Sequence, residues 1–290
     1  MTAYLLHLAI LAGIYILLAL SLNLIVGYAG QVSLGHAAFY GIGAYASALA
    51  ALNWHFPFPL AALSAMLATG VCGLALGLPT LRLKEDYLAI VTLGFGVIVD
   101  LVFLNLAITG GPDGLVGIPA PLFLGLSFRA PALYLLLVAA AVILALGFTY
   151  RLVNSYHGRA LRAIRDHETT AQVMGINTSA YKIVIFTLAA AMAGLAGSLY
   201  AHYITFINPE SFGLHTSILI LCMVVLGGMG SMAGAVVGAV ILTVLPELLR
   251  QTHALQDLIY GALLVGLLIW RPEGLLGRGK LSLKFLQRGE

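Results

Sequence analysis

Long uninterrupted apolar stretches dominate this chain of 290 residues and constrain its fold more than any other feature. Charged residues make up only 9% of the sequence, whereas they make up about 25% of a soluble domain. With so few charges the chain cannot cover its surface with polar groups, so most of that surface must face lipid. The sequence therefore predicts an all-α polytopic membrane protein, because helices satisfy their backbone hydrogen bonds internally.

Transmembrane helices need about 20 apolar residues each to cross a bilayer. About nine segments meet that requirement, with eight to ten possible, and residues 1–290 would form a single transmembrane domain. The turn at 27–32 is so tight that the first two spans could instead be broken or re-entrant helices. The candidate spans are 3–26, 33–52, 59–80, 87–108, 131–150, 182–204, 214–230, 233–250 and 255–271.

The segment 151–182 predicts the orientation in the membrane. It carries seven of the 25 charged residues and lies between two apolar runs. If it is cytoplasmic, alternation of the spans puts 12 of the 14 lysines and arginines on the same side, leaving Arg129 and Arg250 outside. The positive-inside rule then predicts an external N-terminus and a cytoplasmic tail, 272–290.

The loop 151–181, between the fifth and sixth spans, has the pattern of a short amphipathic helix from Gly158 to Gly175. Gly175 followed by Asn177 is a helix stop signal. The helix could lie among lipid headgroups, or it could be a coupling helix that docks onto a cytoplasmic partner. One predicted stripe contains Leu161, Ile164, Glu168 and Ala171, and the predicted ion pairs are Arg162 with Asp166 and Arg165 with Glu168.

A glycine-rich corner follows the first span. Five glycines, at positions 27, 30, 35, 41 and 43, lie within 17 residues. They could serve close helix packing, or they could mark an unwound corner whose backbone and side chains line a pathway. Gly227 and Gly230 repeat the spacing of Gly27 and Gly30, a weak internal echo. The candidate polar residues of this corner are Asn23, Gln31, Ser33 and His36.

Asp100 is the most costly residue of the chain, since an ionised carboxylate inside a span costs about 2.5–3.5 kcal/mol. We expect it to face the protein interior, either protonated or paired. It would make a structural hydrogen bond, to Asn105 or to a serine or threonine of a neighbouring helix, or a contact to a substrate ammonium group.

Two further segments are turn sequences beside the predicted external mouth, where an external protein would dock. These are Gly110, Gly111, Pro112 and Asp113 in the first segment, and Asn208, Pro209 and Glu210 in the second.

Several strings resemble the permeases of ABC importers for branched-chain amino acids. The first hairpin, SLNLIVGYAGQVSLGHAAFYGIGAYASA at 21–48, is similar to that family's signature. The string GRALRAIRDHETTAQVMGIN resembles the family's cytoplasmic loop, although His167-Glu168-Thr169-Thr170 replaces a clean E-A-A triplet. The likeness continues in DYLAIVTLGFG, TGGPDGL, AGLAGSLYAHYITFINPESF, VVLGGMGSMAGAVVGA and WRPEGLLG, and so covers nearly the whole chain in order.

The resemblance implies a transport subunit of the inner membrane rather than an enzyme. Its expected partners are a second permease subunit, as a homologous heterodimer, two cytoplasmic ATPase subunits, an external binding protein and the amino acid itself, with no nucleic acid. No cofactor is expected in this chain, because it has no G-x-x-x-x-G-K-[ST] loop; ATP and Mg²⁺ would belong to the ATPases. The implied coupling residues are Arg159, Arg162, Arg165, Asp166, Glu168, Ala171 and Gly175.

Other functions stay open at this point. A related permease could carry urea or another small solute, and an ion-gradient-driven transporter could use Asp100 as a proton carrier. An intramembrane enzyme ranks far behind, because the chain has no H-E-x-x-H motif and no paired carboxylates at catalytic spacing.

Overall fold

The fold is a bundle of long apolar helices. The computed structural model describes residues 2–80, 85–123, 126–248, 261, 265–266 and 274–276. The α-helices in these ranges are α1 Thr2–Asn23, α2 His36–Asn53, α3 Phe58–Thr80, α4 Glu85–Asn105, α5 Pro131–Asn154, α6 Tyr156–Asp166, α7 Glu168–Val173, α8 Thr178–Ile204, α9 Leu214–Gly227 and α10 Met232–Leu248. A π-helical turn, Leu24–Tyr28, continues α1.

Short irregular elements connect the helices. Within the described ranges, three 3₁₀ turns occur at Ala107–Thr109, Gly111–Asp113 and Pro209–Phe212. The same ranges contain four strands of two residues, which form two small antiparallel ladders that the sequence did not predict. The strands are β1 Leu115–Val116, β2 Leu122–Phe123, β3 Leu126–Ser127 and β4 Phe206–Ile207, and β1 pairs with β4 while β2 pairs with β3.

Six helical segments of the described residues are long and apolar enough to cross a membrane. This confirms the polytopic helical class. The segment Met232–Pro246 is apolar but shorter, and α2 is a buried helix rich in alanine and glycine. The count of nine crossings stays a prediction, because the span expected at 255–271 and the tail 272–290 lie almost wholly outside the described residues. The six segments are Tyr4–Tyr28, Phe58–Leu78, Tyr87–Asn105, Pro131–Asn154, Thr178–Ile204 and Pro209–Gly227.

Small residues set the centre of the bundle, where α8 packs between α2 and α3. A Cβ atom on Gly43 of α2 would lie 2.3 Å from the Cα atom of Gly194 of α8. One turn on, a Cβ atom on Gly197 would lie 2.1 Å from the carbonyl oxygen of Tyr40. Helix backbones in a membrane approach this closely only through small side chains. Glycine and alanine in these spans therefore create the packing.

The helices connect two opposite faces of the bundle. The Arg165 side chain of α6 donates a hydrogen bond to the carbonyl of Gly27, so the loop and the glycine corner lie on one face, called here the loop face. At the opposite end, the ring of His7 is hydrogen bonded to the Tyr203 hydroxyl at 2.8 Å. The start of α1 therefore lies with the end of α8, on what we call the outer face.

The loop differs from the single helix expected between Gly158 and Gly175. His167 adopts an extended conformation, with φ −154° and ψ 94°, and divides the segment into α6 and α7. The helical spacing of the sequence gave no signal for this break, because the apolar stripe runs through it. The predicted stop is present, since Gly175 has a φ of +81°.

The two ion pairs predicted within the loop do not form among the described residues. The Arg162 guanidinium instead donates to the carbonyls of Val153 at 2.7 Å and Gly158 at 3.1 Å. Glu168 pairs with Lys182 of α8 at 2.5 Å. The break at His167 puts Arg165 and Glu168 on different helices. Arg162 and Asp166 share α6, but the Arg162 guanidinium is held by carbonyls at the junction of α5 and α6.

Candidate functional site

The two glycine corners meet on the loop face. A Cβ atom on Gly27 would lie 2.4 Å from the backbone nitrogen of Gly230, which only glycine permits. The fully buried amide of Asn23 accepts a hydrogen bond from Gly230 N at 2.8 Å and donates one to Ser231 O at 3.1 Å. Gly30 and Gly230 both have left-handed φ values, of +72° and +80°. The echo seen in the sequence thus corresponds to two turns in direct contact.

A non-helical segment, 29–35, follows the first corner and runs back beside α1. The segment ends at His36, whose ring is hydrogen bonded to Ser21 Oγ at 2.7 Å. Ser21 lies about two turns before the end of the π-helical turn that continues α1. Leu34 N donates to Thr92 Oγ1 of α4 at 3.0 Å. Non-helical backbone at membrane depth survives only where it is buried in protein or borders water. Residues 29–35 meet the first condition, because all but Gly30, Val32 and Leu34 are buried.

Several polar atoms of this corner have no partner. Within the described part of the chain, Gln31 Oε1, Ser33 Oγ and His36 Nδ1 are buried without a hydrogen bond. An unpaired buried polar group costs about 1–3 kcal/mol. Close packing is present as well, since a Cβ atom on Gly35 would lie 2.1 Å from the carbonyl oxygen of Thr92. The corner thus combines both features that the sequence left as alternatives, tight packing and unpaired polar groups.

Asp100 borders a small cleft of about 50 Å³ between α4 and the start of α9. Its side chain is half-buried and, among the described residues, makes no hydrogen bond or ion pair. Asn105, which the sequence suggested as its partner, donates to the carbonyl of its own helix at Leu101. The cleft is otherwise largely apolar, and its further lining residues are Leu34, Leu93, Gly96, Val97, Phe212, Gly213, Leu214 and Ser217.

The two outer segments come together through the β1–β4 ladder. Leu115 pairs with Ile207 and Val116 with Phe206. A Cβ atom on Gly114 would lie 2.0 Å from the carbonyl oxygen of Ile207, so glycine is required at this contact. The ladder leaves Pro112, Asp113 and Glu210 exposed on one surface, while Gly110, Gly111 and Asn208 are half-buried and Pro209 is buried.

The loop helices are anchored by their apolar side. Leu161, Ile164 and Ala171 are buried, and the Ser155 hydroxyl caps α6 through the backbone nitrogen of Gly158. The exposed residues lie on the other side of the helices, and Val173, at 87% exposure, is among them. Of the predicted coupling residues, Arg159, Asp166 and Gly175 are exposed, Arg162, Arg165 and Glu168 are half-buried, and Ala171 is buried.

Some residues that hold this arrangement were missed in the sequence. Lys182, which is 8% exposed, was assigned to the loop charge and proves to be the partner of Glu168. Ser217 accepts a hydrogen bond from Ala37 N at 3.0 Å and, with Thr92, satisfies the backbone around the unwound segment. Hydroxyl residues inside apolar spans were the available signal, because such groups must find a partner in the membrane.

Fold and site together define a multi-pass helical membrane protein with one polar loop and a buried, unwound corner contacting it. Residues 4–268 match the family model described as branched-chain amino acid transport system / permease component. The chain belongs to this family.

Individual relatives agree with the family match. The chain is 41% identical to the high-affinity branched-chain amino acid transport system permease protein LivM of Escherichia coli (strain K12), over 95% of this chain and 71% of the relative. It is 28% identical to the probable branched-chain amino acid transport permease protein LivM of Methanocaldococcus jannaschii, over 91% and 90%. It is also 31% identical to the autoinducer 2 import system permease protein LsrC of Salmonella typhimurium, over 76% and 64%. None of the solved structures matches the chain.

Proposed function

We propose that this chain is the transmembrane permease subunit of an ATP-driven importer for branched-chain amino acids in the inner membrane. The observation that carries the proposal is the family match over residues 4–268, joined by 41% identity to a branched-chain amino acid permease over 95% of the chain. The chain's own part is to form the solute path. ATP binding and hydrolysis, with Mg²⁺, belong to two cytoplasmic ATPase subunits.

The loop 151–181 is the coupling element of this proposal. Its support is the division of its surface, since the apolar side of α6 and α7 is buried against the bundle while Arg159, Asp166 and Gly175 remain exposed. A helix lying flat among headgroups would turn its apolar side to lipid instead. Here the apolar side of α6 and α7 is buried against the bundle, which favours a protein partner for the polar side. In this proposal the loop face lies in the cytoplasm and the N-terminus lies outside.

The solute path runs beside the unwound corner. Polar groups of the described residues that are available near this corner include the unpaired atoms of Gln31, Ser33 and His36 and the half-exposed carboxylate of Asp100. A carboxylate that pairs with none of the described residues needs water or a protein neighbour, because lipid would impose the full cost of its charge. The flank of α4 that bears Asp100 therefore faces a second, homologous permease subunit, and the path lies between the two.

The outer face receives the binding protein. The β1–β4 ladder fixes the two outer segments as one rigid surface, on which Asp113 and Glu210 are exposed. Acidic groups on a fixed surface suit a partner that carries basic groups at matching positions.

A reconstitution experiment tests the proposal. The chain, its second permease subunit and the co-purifying ATPases are placed in vesicles, and the binding protein is supplied outside with labelled leucine or labelled urea. We expect leucine to accumulate with ATP and not with a non-hydrolysable analogue. Accumulation by this chain alone, driven by a proton gradient without ATP, would show a secondary transporter instead.

Another solute is the second candidate, and the likeness to an autoinducer 2 permease at 31% identity is the observation that favours it. The same vesicles decide between solutes. Uptake of urea or of autoinducer 2 in place of leucine would keep the ATP-driven class and change the substrate.

A further inference from the structure

Arg165 points into the bundle, although it belongs to the polar loop. Its Nη1 atom donates a hydrogen bond to the carbonyl of Gly27. Its Cγ atom lies 3.1 Å from where a Cβ atom on Gly30 would be. Arg159, six positions earlier in the chain, is exposed and lies over the ring of Tyr156 at 5.9 Å. Arg159 and Arg165, two of the three arginines of α6, thus have different surroundings: Arg165 faces the bundle and Arg159 faces away from it.

The same guanidinium also reaches the second glycine corner. A Cβ atom on Gly230 would lie 2.7 Å from Arg165 Nη1 and 2.9 Å from Gly27 O. Asn23 joins the two corners from the other side, through its hydrogen bonds to Gly230 N and Ser231 O. Arg165 is therefore in contact with the backbone of both corners, and both corners are held to each other.

The chemistry of the contact suits a fixed connection. The Gly27 carbonyl lies in the last turn of α1 and its π-helical extension, where carbonyls lack partners within the helix and the helix dipole favours a cation. A guanidinium presents several donors in a rigid plane, so it loses little freedom for each hydrogen bond that it makes. Glycine at 230 leaves space for the guanidinium, and glycine at 30 leaves space for the Cβ and Cγ atoms of Arg165.

We infer that Arg165 is a positioning residue that fixes the corners 27–31 and 228–231 to the loop, so that any displacement of α6 moves both corners. The inference rests on the proposed function of the loop and goes beyond it. The sequence assigned Arg165 to the surface that meets the ATPase, whereas its contacts assign it to the membrane domain. Its role is to pass movement of the loop to the segment that continues into the unwound stretch 29–35.

Two substitutions test this role in the complete complex. Arg165→Met keeps length and packing but removes every donor, whereas Arg165→Lys keeps one donor for Gly27 O. The measurement is the number of leucine molecules taken up per ATP hydrolysed, beside the increase in ATP hydrolysis caused by loaded binding protein. We expect Met to lower the uptake ratio about tenfold, the size expected for losing a hydrogen bond to a charged group. Lys should retain most of the ratio.

The matched control is Arg151→Met, which changes an exposed arginine in the last turn of α5 on the same face, before α6 and α7 and outside the residues predicted to couple to the ATPase. Basal ATP hydrolysis and ATPase co-purification should be normal in all three variants. An assembled Met variant with the wild-type uptake ratio would overturn the inference. An assembled Lys variant whose uptake ratio is as low as that expected for the Met variant would overturn it as well. Failure of the wild-type complex to take up leucine with ATP would instead overturn the proposed function.

Discussion

In this apolar chain, the surroundings of each polar residue indicate whether its role is structural or functional. Asn23 and Asp100 are both polar groups on membrane helices, yet they have opposite surroundings. Asn23 is fully buried with two backbone partners, so its hydrogen bonds hold two corners together. Asp100 borders a cleft without a partner among the described residues. The first residue therefore has a structural role, whereas the second is available to a solute, to water or to a neighbouring subunit.

We predict that Asp100→Leu inserts normally but impairs uptake. If the carboxylate contacts the solute's ammonium group, the substitution removes a charged hydrogen bond of about 1.5–3 kcal/mol. Uptake should then fall about ten- to a hundredfold. The measurement is ATP-driven uptake of leucine at equal amounts of protein in the membrane. Asn105→Leu, at an exposed position of the same helix, is the control, and normal uptake by Asp100→Leu would leave the residue a packing role only.

Helices were predicted well from this sequence, and their contacts were not. Apolar length alone placed α3, α4, α5 and α8, because the bilayer fixes how long a span must be. The partner of Glu168 was missed because Lys182 belongs to another helix, and sequence spacing describes neighbours within one helix only. The β1–β4 ladder was missed for the same reason, since its strands are about 90 residues apart. The glycine echo did point to a real contact, because backbone approach requires glycine on both sides.

The glycine contact at the centre of the bundle yields a prediction of stability. Gly43→Ala would place a methyl group 2.3 Å from the Gly194 Cα atom, and backbone atoms of packed helices cannot move aside. We expect a loss of about 1–3 kcal/mol, as in other overpacked cores. Thermal unfolding of the purified protein in detergent measures it. Gly147→Ala is the control on α5, where a Cβ atom meets nothing within 4 Å; an equal effect of both substitutions would argue against packing as the cause.

The link between α7 and α8 can be tested by exchanging its charges. Glu168→Lys places two ammonium groups together and leaves Lys182 without its carboxylate, so we expect impaired uptake with normal insertion. The double substitution Glu168→Lys with Lys182→Glu restores opposite charges and should restore most of the uptake. Uptake assays at matched expression provide the measurement. A double variant as impaired as the single one would show that Glu168 acts through a different partner.

At the scale of the whole molecule, the two faces have different compositions. The loop face carries the basic loop and both glycine corners, whereas the outer face carries the turns and the small ladders. Alternation of the helices links these faces without fixing which one is cytoplasmic. The excess of lysine and arginine predicts that the loop face is the cytoplasmic one, since the positive-inside rule depends on charge near the ends of the spans.

Chemical labelling tests the orientation. Single cysteines replace Val173 in α7 and Val116 in β1, which are 87% and 69% exposed. The native Cys72 and Cys222 are first replaced by alanine. With a membrane-impermeant maleimide on intact cells, we expect Val116→Cys to react and Val173→Cys to react only after permeabilisation. The reverse pattern would place the N-terminus in the cytoplasm.

The helix α8 connects the loop face to the outer face as one continuous element. Its 27 residues make a rod of about 40 Å at 1.5 Å per residue. The rod begins beside the Glu168–Lys182 pair and ends next to β4, where the outer ladder forms. Force applied to the ladder would therefore reach the loop along α8 alone, without passing through a bound solute. Under the proposed function, a binding protein that docks on the ladder would act on the ATPase side before the solute is released, so docking at the membrane and passage through it would be separable steps.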